Sequence, residues 1–124
     1  MGNTGQIALE RRTQPRPSET PDVPFWVELR PDRERVAVVP HGELDLATVG
    51  AVRAEIDELI MRGFHGIVID LRWTSFIDST GLCLMLTTTA REDAVVTFID
   101  GPERVSRVFD LAGIRHVLTF EPAP

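Results

Sequence analysis

The segment TSFIDSTGLCLML, residues 74–86, sets polar side chains between two apolar runs. Asp78, Ser79 and Thr80 follow one another there, and either hydroxyl could accept a phosphoryl group. The same residues could also cap a helix, because Ser and Asp are favoured N-cap residues and such a cap is worth about 1 kcal/mol. Capping and modification do not exclude each other, so the segment is a candidate site with a structural alternative.

Other nucleophile and metal chemistry has little support in this sequence. Ser79 does not lie in a G-x-S-x-G motif, and the three histidines, His41, His65 and His116, are scattered, so that only His41 could approach Ser79. The single cysteine, Cys83, lies in an apolar run and is expected to be buried and inert. No His, Cys or carboxylate cluster has metal-ligand spacing. We therefore expect no enzyme activity, no metal and no cofactor.

Composition and charge indicate a small acidic domain. The 124 residues are 43% hydrophobic and 26% charged, which suits one globular core. The net charge of −6 argues against nucleic-acid binding, which needs a clustered basic surface. No apolar run reaches the ~18 residues of a membrane span, and the N-terminus lacks the apolar core of a signal peptide. The expected location is the cytoplasm, without membrane contact.

Residues 1–22 differ in composition from the rest of the chain. They contain three prolines and scattered Ser, Thr and Arg, with IAL as their apolar patch. Such a segment cannot bury enough apolar surface to offset the entropy lost on ordering, so a flexible N-terminal tail is expected. The folded domain would then cover residues 23–121, and residues 122–124 would form the C-terminal end.

Strand and helix patterns follow one another along the remaining chain. Residues 24–30 alternate with period 2, and a turn at 31–34 leads into a second β-rich segment at 35–44, which predicts an antiparallel hairpin. The later predicted elements are a helix from an Asp45 cap to Gly63, a strand at 66–71, a helix opened by the DSTG segment, a strand at 94–99, a helix over 100–113 capped by Asp100, and a strand at 116–120.

The order of these elements predicts the fold class. The unbroken apolar run at 66–71 is typical of a strand covered on both faces, as in a parallel sheet. The expected fold is an α/β domain with a mixed β-sheet, in the order β β α β α β α β, with helices packed against it.

In that fold, Asp78, Ser79 and Thr80 would lie where a central strand ends and a helix begins. Open α/β sheets place their working residues at this edge. A phosphoryl group on an exposed hydroxyl there would meet free backbone N–H groups and the positive end of the helix dipole. We expect the fold to survive phosphorylation. The added charge of about −1.5 to −2 would act on whatever docks at this edge.

Three segments together resemble the STAS domain of bacterial anti-sigma factor antagonists. They are GELDLATV (42–49), GIVIDLRWTSFIDSTGLCLML (66–86) and RVFDLAGI (107–114), in the order and approximate spacing of that family. The resemblance covers about residues 24–120 and implies a STAS-like fold.

The resemblance implies a non-enzymatic switch. In the family, the serine after the aspartate of this motif is phosphorylated by an anti-sigma factor that is also an ATP-dependent serine kinase. The unphosphorylated antagonist binds that partner and frees a sigma factor, which regulates transcription, and a phosphatase resets the phosphorylated form. Here that serine is Ser79, and Asp78 is expected mainly to hold the loop. The implied partner footprint is Asp78, Ser79, Thr80, Gly81, His41, Gly42 and Glu43.

Two other STAS roles remain open at this point. The domain could be the small cytoplasmic subunit of a lipid-transport ABC system, in which Ser79 would matter little as a phosphoacceptor. It could also be a component of a larger STAS signalling assembly. The intact DSTG motif favours the kinase-regulated class.

Overall fold

The computed structural model describes residues 24–124, so the tail predicted for residues 1–22 lies outside the described residues, and the predicted domain limits remain predictions. A five-stranded mixed sheet carries the helices. The strands are β1 (Trp26–Asp32), β2 (Arg35–Leu44), β3 (Gly66–Asp70), β4 (Thr74–Ile77) and β5 (Val95–Ile99). The helices are α1 (Val49–Met61), α2 (Ser79–Thr89) and α3 (Glu103–Ala112), followed by a 3-10 turn at Arg115–Val117.

The predicted hairpin and parallel crossovers are confirmed. β1 and β2 pair antiparallel, with Trp26 opposite His41 and Asp32 opposite Arg35. β2 pairs parallel with β3, and β3 pairs parallel with β5. Because β2 is ten residues long, its first half pairs with β3 while its last residues pair with β4. The end of β2 therefore extends beyond the main sheet and carries its own short partner strand.

All three helices pack on one face of the sheet and share a single hydrophobic core. On that face, Val36 and Val38 of β2 and Ile67 and Ile69 of β3 are almost completely buried. Fully burying an aliphatic side chain contributes about 1.5–3 kcal/mol, so this core is the main force that holds the helices to the sheet. The helices contribute Val49, Val52, Ile56 and Leu59 from α1, Leu84 and Met85 from α2, and Val105 and Phe109 from α3.

The second face of the sheet combines buried apolar residues with charged ones. Val68 and Ile99 are buried on this face, and Asp70 at the end of β3 is 0% exposed. Arg72 and Arg30 bind the Asp70 carboxylate at 2.8 and 3.5 Å. The prediction that this central strand is buried on both faces is confirmed, but the cover on the second face comes from side chains rather than from one of the three helices.

The predicted Asp45 cap of the first helix is wrong. α1 begins at Val49, and Thr48 occupies the N-cap position without a capping side-chain bond. Asp45 instead closes the preceding turn, because its carboxylate accepts the Ala47 N–H at 3.0 Å and lies 3.2 Å from the Thr48 hydroxyl. The predicted stop at Gly63 agrees with the helix end at Met61, and Gly63 has a φ of +100°.

The predicted Asp100 cap of the last helix is also wrong. α3 begins at Glu103 with Pro102 in the N-cap position, where the fixed φ of −58° leads into the helix. The Asp100 carboxylate instead accepts the Ser106 hydroxyl and an Arg115 guanidinium N–H, both at 2.9 Å. Asp100 therefore ties the start of α3 to the segment that follows its end.

The strand predicted at residues 116–120 is reduced to one bridge. The chain forms the 3-10 turn and then pairs only Phe120 with Phe98. Side chains replace the missing ladder: Arg35 donates to the Glu121 carboxylate at 2.9 and 3.1 Å, and the Thr97 hydroxyl donates to it at 2.7 Å. The C-terminal segment is thus fastened to the sheet by charge and hydrogen bonding.

The substitution Glu121→Gln should lower the free energy of unfolding near neutral pH by up to about 1 kcal/mol, the usual range for a pair near the surface. Arg35 first, and then Thr97, lower the pKa of Glu121 from its ordinary value of 4.5. A lowered carboxyl pKa stabilises the fold above the ordinary value, and this effect is lost as pH falls through the folded pKa. Urea unfolding should therefore separate variant and wild type at about pH 7 and bring them together toward about pH 3.

The matched control is Glu103→Gln. Glu103 also pairs with an arginine, Arg107, at 3.1 Å, but 85% of its side chain is exposed. Because Glu103 is exposed and lies in the first turn of α3, this variant should lose less stability near neutral pH than Glu121→Gln. A difference in unfolding free energy between Glu121→Gln and wild type that stays constant with pH would contradict a stabilising ion pair between Arg35 and Glu121.

Candidate functional site

Asp78 organises the start of α2. Its backbone is extended, with φ −111° and ψ −170°, between the end of β4 and the first helical residue, Ser79. Its Oδ1 accepts the backbone N–H groups of Thr80 and Gly81 at 2.9 and 3.0 Å, and the Thr80 hydroxyl at 2.5 Å. The expected holding role of Asp78 is confirmed, because one carboxylate oxygen satisfies two of the orphan amides of the helix.

These hydrogen bonds favour the charged form of Asp78. The Thr80 hydroxyl, followed by the backbone N–H groups of Gly81, Thr80 and Leu46, lowers the pKa of the Asp78 carboxyl from its ordinary value of 3.8. The carboxylate is therefore ionised at neutral pH. A fixed negative charge lies beside Ser79 before any modification takes place.

The two neighbouring hydroxyls have different surroundings. The Thr80 side chain is half-buried, and its hydroxyl donates to Asp78. Ser79 is exposed at the first position of α2, and its hydroxyl makes no hydrogen bond to the residues that the structure describes. Of the two candidates, Ser79 presents the oxygen that is available to a reagent from solution.

Gly81 allows α2 to approach the sheet. A Cβ atom at this position would lie 2.5 Å from Cγ1 of Ile77 and 2.8 Å from the carbonyl oxygen of Leu44. The glycine is buried. Gly81 was predicted from the resemblance as part of a partner footprint, and the structure gives it a packing role beneath Ser79.

The end of β2 brings Glu43 to the same region. Glu43 pairs with Phe76, and Leu44 pairs with Ile77 in the short parallel ladder between β2 and β4. The Leu44 carbonyl accepts the Asp78 N–H at 3.3 Å. Glu43 itself is exposed, so its carboxylate lies on the surface near the Asp78 cap.

Gly42 shapes the end of β2 by adopting a φ of +114° where the ladder has a bulge between Gly42 and Glu43. Its N–H donates to the Trp73 carbonyl at 3.1 Å. A side chain at Gly42 would be strained by this φ and would approach the Phe25 ring at 3.3 Å. The bulge therefore depends on glycine.

His41 lies on the second face of the sheet, away from the helices. Its ring stacks on Trp26, with centroids 4.1 Å apart and an interplanar angle of 17°, and lies 5.8 Å from the Trp73 ring. Its Nε2 is 2.8 Å from Glu28 Oε1. We refer to Trp26, Glu28, His41 and Trp73 as the aromatic cluster. The side-chain contacts of His41 are thus within this cluster, and a partner-binding role for His41 remains a prediction.

Two exposed apolar side chains near Ser79 were missed in the sequence analysis. Leu46, whose N–H reaches the Asp78 carboxylate, is 77% exposed, and Phe76 is 47% exposed. No strand is predicted for residues 74–77, whereas they form β4 with Phe76 outward and Ile77 buried. No periodic signal in the sequence marks Phe76, because burial along β4 runs buried, exposed, exposed, buried.

The prediction that Cys83 is a buried side chain is wrong. Cys83 is exposed, because the buried side of α2 is formed by Leu84, Met85 and Thr88 and the helical period turns position 83 outward. It lies one helical turn beyond Ser79, on the same flank of α2.

Two other kinds of feature are absent from residues 24–124. No group of three or more His, Cys, Asp or Glu side chains in this range could hold a metal ion. No helix in the described part of the chain is long and apolar enough to cross a membrane.

The fold and the Asp78–Gly81 geometry can be compared with known proteins. The STAS domain matches residues 28–123, which is most of the chain. The chain belongs to the STAS domain family. Among curated relatives, the anti-sigma-B factor antagonist of Staphylococcus epidermidis is 30% identical over 80 residues, which cover 62% of this chain and 74% of the relative.

Solved structures of antagonists share this STAS fold. An anti-sigma factor antagonist from Mycobacterium paratuberculosis superposes with a TM-score of 0.72 at 20% identity, covering 85% of this chain and 91% of that one. Unphosphorylated SpoIIAA gives a TM-score of 0.63 at 26% identity, with coverage of 81% and 88%. The phosphorylated form of SpoIIAA from Bacillus gives 0.58 at 25% identity, with coverage of 81% and 91%.

The substitution Gly81→Ala should destabilise this STAS domain by about 1–3 kcal/mol, because the added methyl group meets a backbone oxygen that cannot move freely. The control is Gly50→Ala in α1, where nothing lies within 4 Å of the added atom. That change should be neutral or stabilise the domain by up to about 1 kcal/mol. Thermal and urea unfolding of both variants measure the difference, and equal stabilities would refute the close-packing role of Gly81.

Proposed function

We propose that this STAS domain is an anti-sigma factor antagonist that is switched by phosphorylation of Ser79. Unmodified, it binds an anti-sigma factor with serine kinase activity and so releases a sigma factor for transcription. Phosphorylated, it dissociates, and a phosphatase restores it. The observation that carries the proposal is the exposed Ser79 hydroxyl beside an Asp78 cap that occupies the neighbouring Thr80 hydroxyl.

The helix start explains why a phosphoryl group would remain exposed. A bare helix N-terminus binds anions through its free amides. Here the Asp78 carboxylate already accepts the amides of Thr80 and Gly81. A phosphate on Ser79 would have to compete with a carboxylate for them. The phosphate would therefore project outward. The sequence predicts that it would meet several free backbone amides, but Asp78 already occupies two of them.

The charges around Ser79 strengthen the effect of modification. Glu43 and the ionised Asp78 lie on this surface, and Asp45 holds the adjoining turn. Phosphorylation adds about −1.5 to −2 charges to a region that is already acidic. Against an acidic or apolar partner surface, a penalty of roughly 4 kcal/mol from repulsion and desolvation would weaken binding about a thousandfold.

Exposed apolar side chains supply attraction for the unmodified form. Leu46 lies beside the Asp78 cap because its backbone N–H contacts the Asp78 carboxylate. Phe76 lies beside it because β4 ends directly before Asp78. Apolar groups near the centre of an interface contribute most of its affinity, while a charge placed there is costly to desolvate. We call the surface of Leu46, Phe76 and Ser79 the docking surface.

Incubation with ATP and the candidate serine-kinase anti-sigma factors should add one phosphate to the wild-type protein. Intact mass should show the same addition in Thr80→Ala and none in Ser79→Ala. Because Thr80 binds Asp78, unchanged phosphorylation of Thr80→Ala also shows that this hydrogen bond is not needed for modification of Ser79. Phosphate addition that survives in Ser79→Ala would refute the assignment of the acceptor.

The variant Ser79→Asp should keep the circular dichroism spectrum of wild type and bind the kinase at least about tenfold more weakly. One extra charge is about half that of a phosphate, and half of a roughly 4 kcal/mol penalty exceeds the 1.4 kcal/mol of one decade. Calorimetry or surface plasmon resonance measures the affinity, with Ser79→Asn as the uncharged control. Equal affinities for the Asp and Asn variants would count against a charge switch.

Replacing exposed apolar residues of the docking surface with serine tests whether this surface binds the kinase. Leu46→Ser and Phe76→Ser should each weaken kinase binding by about 1–2 kcal/mol, or roughly 5–30-fold, with little change in stability. Leu111→Ser and Val117→Ser are matched controls, because Leu111 is 80% exposed, close to Leu46 at 77%, and Val117 is 46% exposed, close to Phe76 at 47%. Equal losses in all four variants would place the partner elsewhere.

A further inference from the structure

The helix that begins at Ser79 carries no charged residue along its whole length. α2 is eleven residues long and contains neither an acidic nor a basic side chain, whereas α1 and α3 each contain several of both signs. A surface helix normally turns charged side chains to solvent, and charge is depleted in the core of protein interfaces. Ser79, Cys83 and Thr87 are exposed and spaced four residues apart, so they form an uncharged ridge along α2.

The ridge ends at a groove between α1 and α2. We call this cavity of about 140 Å³ the α1–α2 groove, and it is lined by Arg53, Ile56, Thr87, Thr88 and Arg91. Because a helix rises 1.5 Å per residue, Thr87 lies about 12 Å from Ser79 along α2. An interface of standard size, with about 800 Å² buried on each partner, spans this distance. The groove and the docking surface can therefore belong to one interface.

Arg91 forms a fixed wall of the α1–α2 groove. Its guanidinium group donates to the Asp57 carboxylate of α1 at 2.6 Å and to the Asp93 carboxylate at 2.9 and 3.1 Å. These bonds tie α1 to the segment that follows α2. The shape of the groove therefore exists before any partner binds.

Arg53 brings an unpaired positive charge to the same groove. Its side chain is exposed, and its guanidinium group makes no ion pair with the residues that the structure describes. Asp57, one helical turn further along α1, is bound to Arg91 instead. The residues that line the groove include two guanidinium groups and no carboxylate. The chemical group that complements this groove is therefore an acidic side chain.

We propose that the α1–α2 groove is a second contact point for the kinase, and that it takes an acidic side chain of that partner, which pairs with Arg53. The inference rests on the proposed function for the identity of the partner. The uncharged ridge lies against the kinase between the two contact points. An ion pair at one end of the ridge fixes the direction in which the kinase lies along α2, because charge pairs set the register of an interface. Arg53 thus contributes to partner choice, while Ser79 supplies the switch.

Charge reversal at Arg53 tests this contact. Arg53→Glu should weaken kinase binding about tenfold or more in surface plasmon resonance, mainly through faster dissociation, and Arg53→Gln should weaken it less. The matched control is Arg33→Glu, which makes the same change of charge at an exposed arginine in the turn between β1 and β2. This control should bind like wild type. All three variants should keep the circular dichroism spectrum of wild type.

Two further measurements separate contact from chemistry. Arg53→Glu should raise KM for phosphorylation of Ser79 and leave kcat unchanged, because Arg53 binds the partner without touching the reacting groups. Phenylglyoxal, which modifies accessible guanidinium groups, should react with Arg53 and Arg33 in the free full-length protein. Addition of the kinase should protect Arg53 and leave Arg33 reactive, as measured by peptide mass.

Equal kinase affinities for Arg53→Glu and Arg33→Glu, or equal reactivity of Arg53 with and without kinase, would overturn the inference. So would a wild-type dimer in analytical ultracentrifugation that Arg53→Glu dissociates, because the groove would then bind a second copy of this chain. These outcomes leave the phosphorylation of Ser79 untouched. Failure of every candidate kinase to bind the wild-type protein would instead overturn the proposed function, and the acidic contact with it.

Discussion

The carboxylate of Asp78 is the interaction on which the site depends. A single oxygen satisfies two amides at the start of α2 and binds the Thr80 hydroxyl, while the Asp78 amide is bound by the end of β2. Helix, short strand and long strand therefore meet at one residue. Gly81 makes this meeting possible, because any side chain there would push α2 away from the Leu44 carbonyl. Ser79 is what remains exposed once these contacts are made.

This arrangement separates stability from signalling. The groups that hold the fold near the site, namely Asp78, Thr80 and Gly81, are occupied or buried, whereas Ser79, Leu46 and Phe76 face outward. A change in charge at position 79 then alters the surface without removing any hydrogen bond of the cap. The core beneath the Asp78 cap contains aliphatic and aromatic side chains from all three helices, and this packing holds the start of α2 in place.

Much of the fold could be predicted from the sequence, because hydrophobic periodicity directly reflects burial. The alternation of Phe25, Val27 and Leu29 and the helical stripe of α1 led to correct elements. The errors arose where tertiary contacts outweigh local preference. β4 is four residues long and exists because the end of β2 offers it a partner, and the last predicted strand yields to a turn fixed by side-chain contacts of Asp100 and Glu121.

The candidate site, like the fold, could be predicted from the sequence only in part. The motif located Asp78 and Ser79 correctly at a helix start, since aspartate and serine favour such positions. The sequence could not reveal that Gly81 would be needed for close packing, or that His41 would lie across the sheet between two indoles. Each of these depends on a register between strands, which spacing along the chain does not determine.

The outward position of Cys83 has a practical consequence. It is the single thiol of the chain, and it lies on the flank of α2 one turn from Ser79. An environment-sensitive fluorophore attached through maleimide would carry its dye to the rim of the docking surface with no engineered residue. Its emission could then report complex formation and release in real time.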